Sequence, residues 1–389
     1  MLVPNYKGNL LKEEFMIKKW KLVVTMTIMA AMLVGAESGY TADKFWLGTA
    51  GAGDFNWSTA NNWSLTSGGA AGAALIDGDV VIFDNNSTNL ATQCDAAHAV
   101  TIQINANVGG PVSINANNVA LAITDGVGAG ITQNSATQLL TLSFSGLAGA
   151  LNLTAPTTTI NVANGTGKVT FSNVLGGVGC TLDKTGTGIL RLNGGANTYG
   201  GTTLVSGGTL LVNGVATQTG TGAYTVFSGA TLGGIGTMNG VATINGGAFL
   251  NPGDPAVTSG VGTLTTTKAF TFSNLSKYYI DINAGSGDKL VVGGGSPCTV
   301  TAGAQILLGT ATGTLPQQYI ILSVPAGAPA TFTVNNTGFV QTLNGTDIEL
   351  TGVAGFATPT LNQWGLILFA LFIAGFAIWS IRRKNYKTA

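Results

Sequence analysis

Between residues 43 and 356 the chain is cut by glycine into short β-prone runs, and helical periodicity is nearly absent. It contains 58 Gly, roughly twice the ~7% average share. Runs of Val, Ile, Leu, Thr and Phe stop at Gly-Gly, Asn-Gly and Asp-Gly pairs, which make tight turns. Clear runs occupy 79–83, 100–104, 111–114, 139–144 and 151–153. Within the second, Val100, Ile102 and Ile104 face one side and Thr101 and Gln103 the other, because side chains alternate along a strand. A chain of this kind is all-β, built from many short strands.

The runs recur. Strand starts fall near Gly188, Gly201, Gly208, Ala223, Ala230, Gly240 and Gly247, so that equivalent starts lie 20, 22 and 17 residues apart. A repeat of about 20 residues is the period of a solenoid, in which inward Leu, Val and Ile of one coil stack on those of the next. Only 8% of residues are charged, against ~25% in ordinary soluble domains. Lys+Arg and Asp+Glu are both 16, so no net field attracts nucleic acid. Apolar residues make up 45% of the chain, which sets it apart from a disordered composition.

The most ordered internal pattern lies at residues 184–214. Lys184-Thr185-Gly186-Thr187-Gly188 leads into Ile189-Leu190-Arg191-Leu192. Ala196-Asn197-Thr198-Tyr199 and Thr202 follow, and Gly208-Thr209-Leu210-Leu211-Val212 closes the unit. This order resembles the autotransporter-associated β-strand repeat. The resemblance implies a right-handed parallel β-helix of the kind that forms stalks of secreted proteins.

The two ends frame the repeats. From Met16, Lys18, Lys19 and Lys21 precede an apolar stretch from Leu22 to Val34, a basic and then hydrophobic arrangement of signal-peptide length. Met16 is then the expected start, with cleavage near Ala36 or Ala42. At the other end no charged residue occurs from Trp364 to Ile381. Those residues form a helix about 27 Å long at ~1.5 Å per residue, close to the ~30 Å core of a bilayer. Trp364 and Trp379 mark its edges, and Arg382, Arg383 and Lys384 keep its end cytoplasmic. Pro359, Thr360, Leu361, Trp364, Gly365, Arg382 and Arg383 together resemble the IPTL-type sorting tail, a relative of the PEP-CTERM tails of Gram-negative bacteria. Thr358 and Gln363 stand where that family usually has Ile and Glu. The resemblance implies recognition of these residues by an exosortase-type sorting enzyme.

The expected organisation follows. Residues 1–42 are a leader with the signal peptide, and 43–110 an aromatic-rich N-terminal cap with the first strands. Residues 111–299 form the β-solenoid, 300–350 a C-terminal β region in which a sandwich-like packing is an alternative, and 351–357 a linker. Residues 358–389 are the sorting tail, with a single C-terminal transmembrane helix at 364–381. Trp46, Trp57 and Trp63 of the cap either plug the first coil, which has no neighbour to cover it, or form a carbohydrate-stacking platform. Of these the plug is favoured.

Catalysis needs a constellation that the sequence does not supply. His98 is the one histidine, so a Ser-His-Asp triad would have to use it. Asp77, Asp79 and Asp84 cluster, as do Asp281 and Asp288, and glycoside cleavage uses two placed carboxylates. Acids at strand ends more commonly shape turns. Cys94, Cys180 and Cys298 are far apart and odd in number; an oxidising compartment permits one bridge, with the pair left open by the sequence, and isolated thiols are favoured. They contain no Cys-x-x-Cys, so a zinc site is not expected. No catalytic, cofactor-binding or metal residue is assigned, and no cofactor is expected.

The reading is therefore an exported, non-enzymatic surface or matrix β-solenoid, structural or adhesive. It passes through the secretion machinery, rests as an inner-membrane intermediate and is then sorted to the cell surface or beyond. Surface polysaccharide or neighbouring cells are its expected contacts. The alternative is a polysaccharide lyase or glycosidase on the same scaffold.

Overall fold

The computed structural model describes residues 41–352, except 52, 118, 126–128, 146–149, 155, 196, 215–221, 257–259, 284–285, 313–317, 325–330 and 335–338. The expected signal peptide, the sorting tail and the helix at 364–381 lie outside the described residues. Among the described residues, no helix is long and apolar enough to cross a membrane. The chain divides into two units, Met1–Ser172 and Asn173–Ala389.

In the first unit, Asp43–Trp46, Val80–Phe83, His98–Ile104, Ile131–Gln133 and Thr157–Val162 stack in parallel as one face. Ala91–Cys94, Val112–Asn117, Leu139–Ser145 and Lys168–Phe171 form a second. The first part of His98–Ile104 also pairs with Ala120–Ile123, which pairs with Ala150–Leu153. Alternation produces the core: in Thr157–Val162 the residues Thr158, Ile160 and Val162 are buried and their neighbours half-buried. Each fully buried Ile or Val contributes about 1.5–3 kcal/mol.

The first coil is closed by tryptophan. Trp63–Ser64 pairs antiparallel with Asp43–Trp46 and covers its outer edge. Trp46, Trp57 and Trp63 are 0% exposed. Trp63 packs edge-on against Trp46 at 4.9 Å and against Trp57 at 5.6 Å. Each indole N–H has an acceptor: Thr88 O at 2.9 Å, Thr92 Oγ1 at 3.0 Å and Trp57 O at 2.8 Å, respectively. The rings form a plug with no face open to a sugar.

The second unit has three faces. Thr181–Thr185, Thr203–Val205, Tyr224–Val226, Ala242–Ile244, Phe270–Phe272 and Cys298–Val300 make the first. Ile189–Leu192, Thr209–Val212, Thr231–Gly234, Phe249–Pro252, Lys277–Asn283, Gln305–Thr312 and Thr333–Val334 make the second. Thr237–Met238, Thr263–Thr266, Lys289–Val292 and Gln318–Ser323 make the third. It ends in antiparallel Asp347–Gly352 and Phe339–Asn344, so the region after 300 continues the solenoid faces and then closes with a hairpin.

Coil length is where the 20-residue period is corrected. Registered partners are 21 residues apart from Thr203 to Tyr224 and 18 from Tyr224 to Ala242. They are 28 apart from Ala242 to Phe270 and again from Phe270 to Cys298. The longer coils hold a full third-face strand and its turn. In the first unit the step is already 29, from Ile102 to Ile131 and from Ile131 to Ile160. Corners depend on glycine where coils meet closely. Gly208 has φ 62, and a Cβ there would lie 2.4 Å from the Gly188 carbonyl oxygen. Any side chain would clash, besides the strain of the left-handed conformation.

Candidate functional site

The repeat at 184–214 buries Lys184, Arg191, Asn197 and Thr203. Thr181–Thr185 alternates so that Leu182 and Lys184 point inward. Lys184 is 0% exposed. Its Nζ donates to the carbonyl oxygens of Thr185 at 2.6 Å, Gly186 at 3.0 Å and Gly207 at 3.1 Å. The glycines of Lys-Thr-Gly-Thr-Gly turn the corner with Gly186 at φ 71, and the ammonium ties that corner to the next coil. Burial pushes the Lys184 amine down to about 8, while Asp183 acts in the opposite direction. The carbonyl oxygens favour the charged form.

Arg191 belongs to Ile189–Leu192, where three consecutive residues are buried. Its Nε donates to Asp254 Oδ2 at 2.8 Å and its Nη2 to Asp254 Oδ1 at 3.0 Å. Asn213 Nδ2 donates to Asp254 Oδ2 at 2.7 Å, and the Ala256 N–H donates to Oδ1 at 2.9 Å. Burial alone would raise the Asp254 pKa, but the bonds from Arg191, Ala256 and Asn213 outweigh it and hold the carboxyl below its usual value. This two-pronged pair is the strong form of a charged hydrogen bond.

Asn197 and Tyr199 complete the pattern. Asn197 Oδ1 accepts the Leu175 N–H at 2.8 Å, and the Tyr199 hydroxyl is 2.8 Å from Thr203 Oγ1. Both side chains are buried. The motif is thus a set of internal ties: Lys184 and Asn197 join adjacent coils, Arg191 reaches across three, and Tyr199 makes a local contact with Thr203.

Of the catalytic candidates, the acids are held by backbone N–H groups and His98 is not. His98 Nδ1 lies 3.8 Å from Asp77 Oδ1, and neither ring nitrogen has a hydrogen-bond partner among the described residues. Burial lowers the His98 pKa, against opposing contributions from Asp77, Asp95 and Asp79. Asp79 accepts the N–H groups of Ala42 at 2.8 Å and Ile76 at 2.9 Å, and Asp84 accepts that of Asn86 at 2.9 Å. Asp288 accepts from Gly262 at 2.8 Å and from the Asp281 N–H at 2.9 Å. Burial pushes its carboxyl up to about 8. These acids shape loops, as turn acids do. A cleft of about 600 Å³ in the first unit is lined by Lys44, Ser64, Leu65, Thr66, residues 70–74 and others, with no carboxylate among them. Cys94, Cys180 and Cys298 are buried. Among the described residues, no group of three metal-ligating side chains occurs.

Sequence reasoning did not single out the Arg191–Asp254 pair. Its members are 63 residues apart, and nothing in the local pattern of either marks the other. Lys184 was visible only as part of a motif; its burial follows from falling on the inward parity with Leu182. Pro359, Thr360, Leu361, Trp364, Gly365, Arg382 and Arg383 lie outside the described residues.

With this geometry in view, the comparisons fit the fold. Residues 182–212 match the Passenger-associated-transport-repeat family. Residues 356–383 match the IPTL-CTERM motif. Both resemblances read from the sequence are thereby supported over those segments. No curated protein matches the chain. A parallel β-solenoid that carries a passenger-type repeat and a C-terminal sorting motif points to an exported, cell-surface protein.

Proposed function

We propose that this chain is a non-enzymatic surface or matrix protein whose β-solenoid is presented outside a Gram-negative cell, in a structural or adhesive role. The observation that carries the reading is the pairing of a passenger-type repeat at 182–212 with a sorting motif at 356–383 on one chain. A right-handed winding is part of the proposal, since parallel crossovers take that hand. So is the route: a signal peptide opening at Met16, an apolar helix at 364–381 that holds an inner-membrane intermediate, and a sorting enzyme that reads Pro359, Thr360, Leu361, Trp364 and Gly365. Arg382 and Arg383 anchor the cytoplasmic side. The non-enzymatic role is supported by acids engaged in loop geometry and by a lone histidine with no hydroxyl partner among the described residues.

Mass spectrometry of the mature protein tests the route. A C-terminus near Thr360 supports processing; a C-terminus at Ala389 on surface-displayed protein overturns it. Protease treatment of intact cells tests exposure separately.

A further inference from the structure

The outward side of the first face in the second unit carries a regular line of threonines. Thr225, Thr243, Thr271 and Thr299 are registered partners on successive coils. The inward neighbours Tyr224, Val226, Ala242, Ile244, Phe270 and Phe272 are buried, so the four threonines point away from the core. Adjacent strands lie ~4.8 Å apart, which sets the spacing of the line.

A second line runs beside it, two residues on. The backbone ladder extends past each strand, with N–H groups of Phe227, Asn245, Ser273 and Thr301 bonded to Val205, Val226, Ile244 and Phe272 carbonyls. These four side chains therefore share the outward side. Phe227 is 41% exposed. Neither the four threonines of the first line nor Asn245, Ser273 and Thr301 bond through their side chains to another described residue. No charged residue occupies any of the eight positions.

Each property narrows the occupant. Hydroxyl and amide groups open to water can pair with a ligand that both donates and accepts. An exposed phenyl ring beside them needs a flat apolar face. Along these eight positions an acidic or basic polymer has nothing to pair with; the nearest acid on the line, Asp183, lies two register steps beyond Thr225. The regular spacing suits a polymer whose units repeat on a similar length. We propose that this plate binds a neutral polysaccharide laid across the coils, its hydroxyls against the threonine line and one sugar face on Phe227. This inference deepens the proposed surface role and rests on it for its biological setting.

The purified full chain is passed over immobilised neutral glucan, mannan and galactan, with polygalacturonate as the acidic matrix. The wild type is expected to be retained by a neutral matrix, with little effect of salt. Thr243→Val with Thr271→Val, and separately Phe227→Ala, should weaken retention at least tenfold with an unchanged strand-type circular dichroism spectrum. Thr265→Val, outward on the third face, should leave it unchanged. The inference is overturned if no neutral matrix retains the wild type, or if the variants bind as well as it does. It is also overturned if only polygalacturonate retains the protein, or if the plate variants alter ice-crystal growth or self-association instead. Cell-surface proteolysis separates the two levels. A surface-exposed chain that no neutral matrix retains overturns this inference alone. A glycan-retained chain that stays inside the cell overturns the proposed export.

Discussion

Arg191 and Asp254 are joined by two hydrogen bonds of 2.8 and 3.0 Å across a sequence distance of 63 residues. Between them in the stack run Thr209–Val212, Thr231–Gly234 and Phe249–Pro252. The register of Arg191 passes through Leu211 and Gly233 to Asn251. At Gly233 the coils themselves approach closely: a Cβ there would lie 2.2 Å from the Asn251 carbonyl oxygen and 3.0 Å from Leu211 Cδ2.

Asp254→Ala strands a buried guanidinium, so it should cost about 3–5 kcal/mol, the range for breaking a buried pair. Thermal melts followed by circular dichroism measure it. Arg191→Met together with Asp254→Leu should lose much less, because no unpaired charge remains. The folded Asp254 pKa is depressed. Its contribution is therefore full above the unfolded carboxyl pKa and is lost as pH falls through the folded one. Equal losses in the single and double variants would show that the stranded guanidinium adds no penalty of its own.

Lys184 gives the opposite end of the pH scale. Its folded pKa, about 8, is below the ordinary lysine value of 10.5. Between those values the unfolded chain binds the extra proton, so stability rises with pH across that window. Full titration corresponds to about 3 kcal/mol at 1.36 kcal/mol per unit. Urea unfolding of wild type and Lys184→Met isolates this effect, since Cys94 and Cys298, both pushed up to about 12, titrate in either protein. If the two curves run parallel from pH 8 to 10.5, the three carbonyls hold the ammonium fully charged.

Asp288 behaves in the reverse sense for an acid. Its carboxyl is raised from 3.8 to about 8 by burial. The folded form holds a proton that the unfolded form releases, so this group's contribution is full below pH ~4 and is lost as pH rises through 8. Asp288→Asn keeps a neutral side chain but leaves only one acceptor for the Gly262 and Asp281 N–H groups. It should flatten the decline between pH 4 and 8 while costing about 1–3 kcal/mol at low pH. An unchanged slope would mean that Asp288 is ionised in the fold.

Leu275 has φ 60 and is 55% exposed, at a corner where Gly247 and Gly303 have φ 78 and 91. Its N–H donates to Gly303 O and its carbonyl accepts from Gly247. A left-handed non-glycine residue costs about 1–2 kcal/mol. Leu275→Gly relieves that strain and loses little packing, so a net gain of about 1 kcal/mol is expected after the extra glycine entropy. A lower melting temperature for this variant would show that the leucine side chain stabilises the corner by more than the strain.

The strands were legible because their chemistry is local. Val100, Ile102 and Ile104 announce a face by parity, and all three are buried in His98–Ile104. The tryptophans were legible as a cluster, and burial decides between plug and platform. Coil length was less legible. The 20-residue period around Gly188 to Gly208 reflects coils with little or no third-face strand, and Thr263–Thr266 and its turn lengthen the later ones. The Arg191–Asp254 tie was hidden because pairing over three coils leaves no trace in local spacing. The buried state of Lys184 was hidden by its charge, which parity overrode.

The same tie limits how such a chain can change in evolution. Most coils bond only to the coils on either side, so a duplicated or deleted coil leaves distant contacts intact. Between Arg191 and Asp254 that freedom ends: one coil more or fewer would carry the carboxylate out of reach of its guanidinium. Length variants of this protein should therefore keep a constant number of turns within that interval and accumulate their insertions elsewhere.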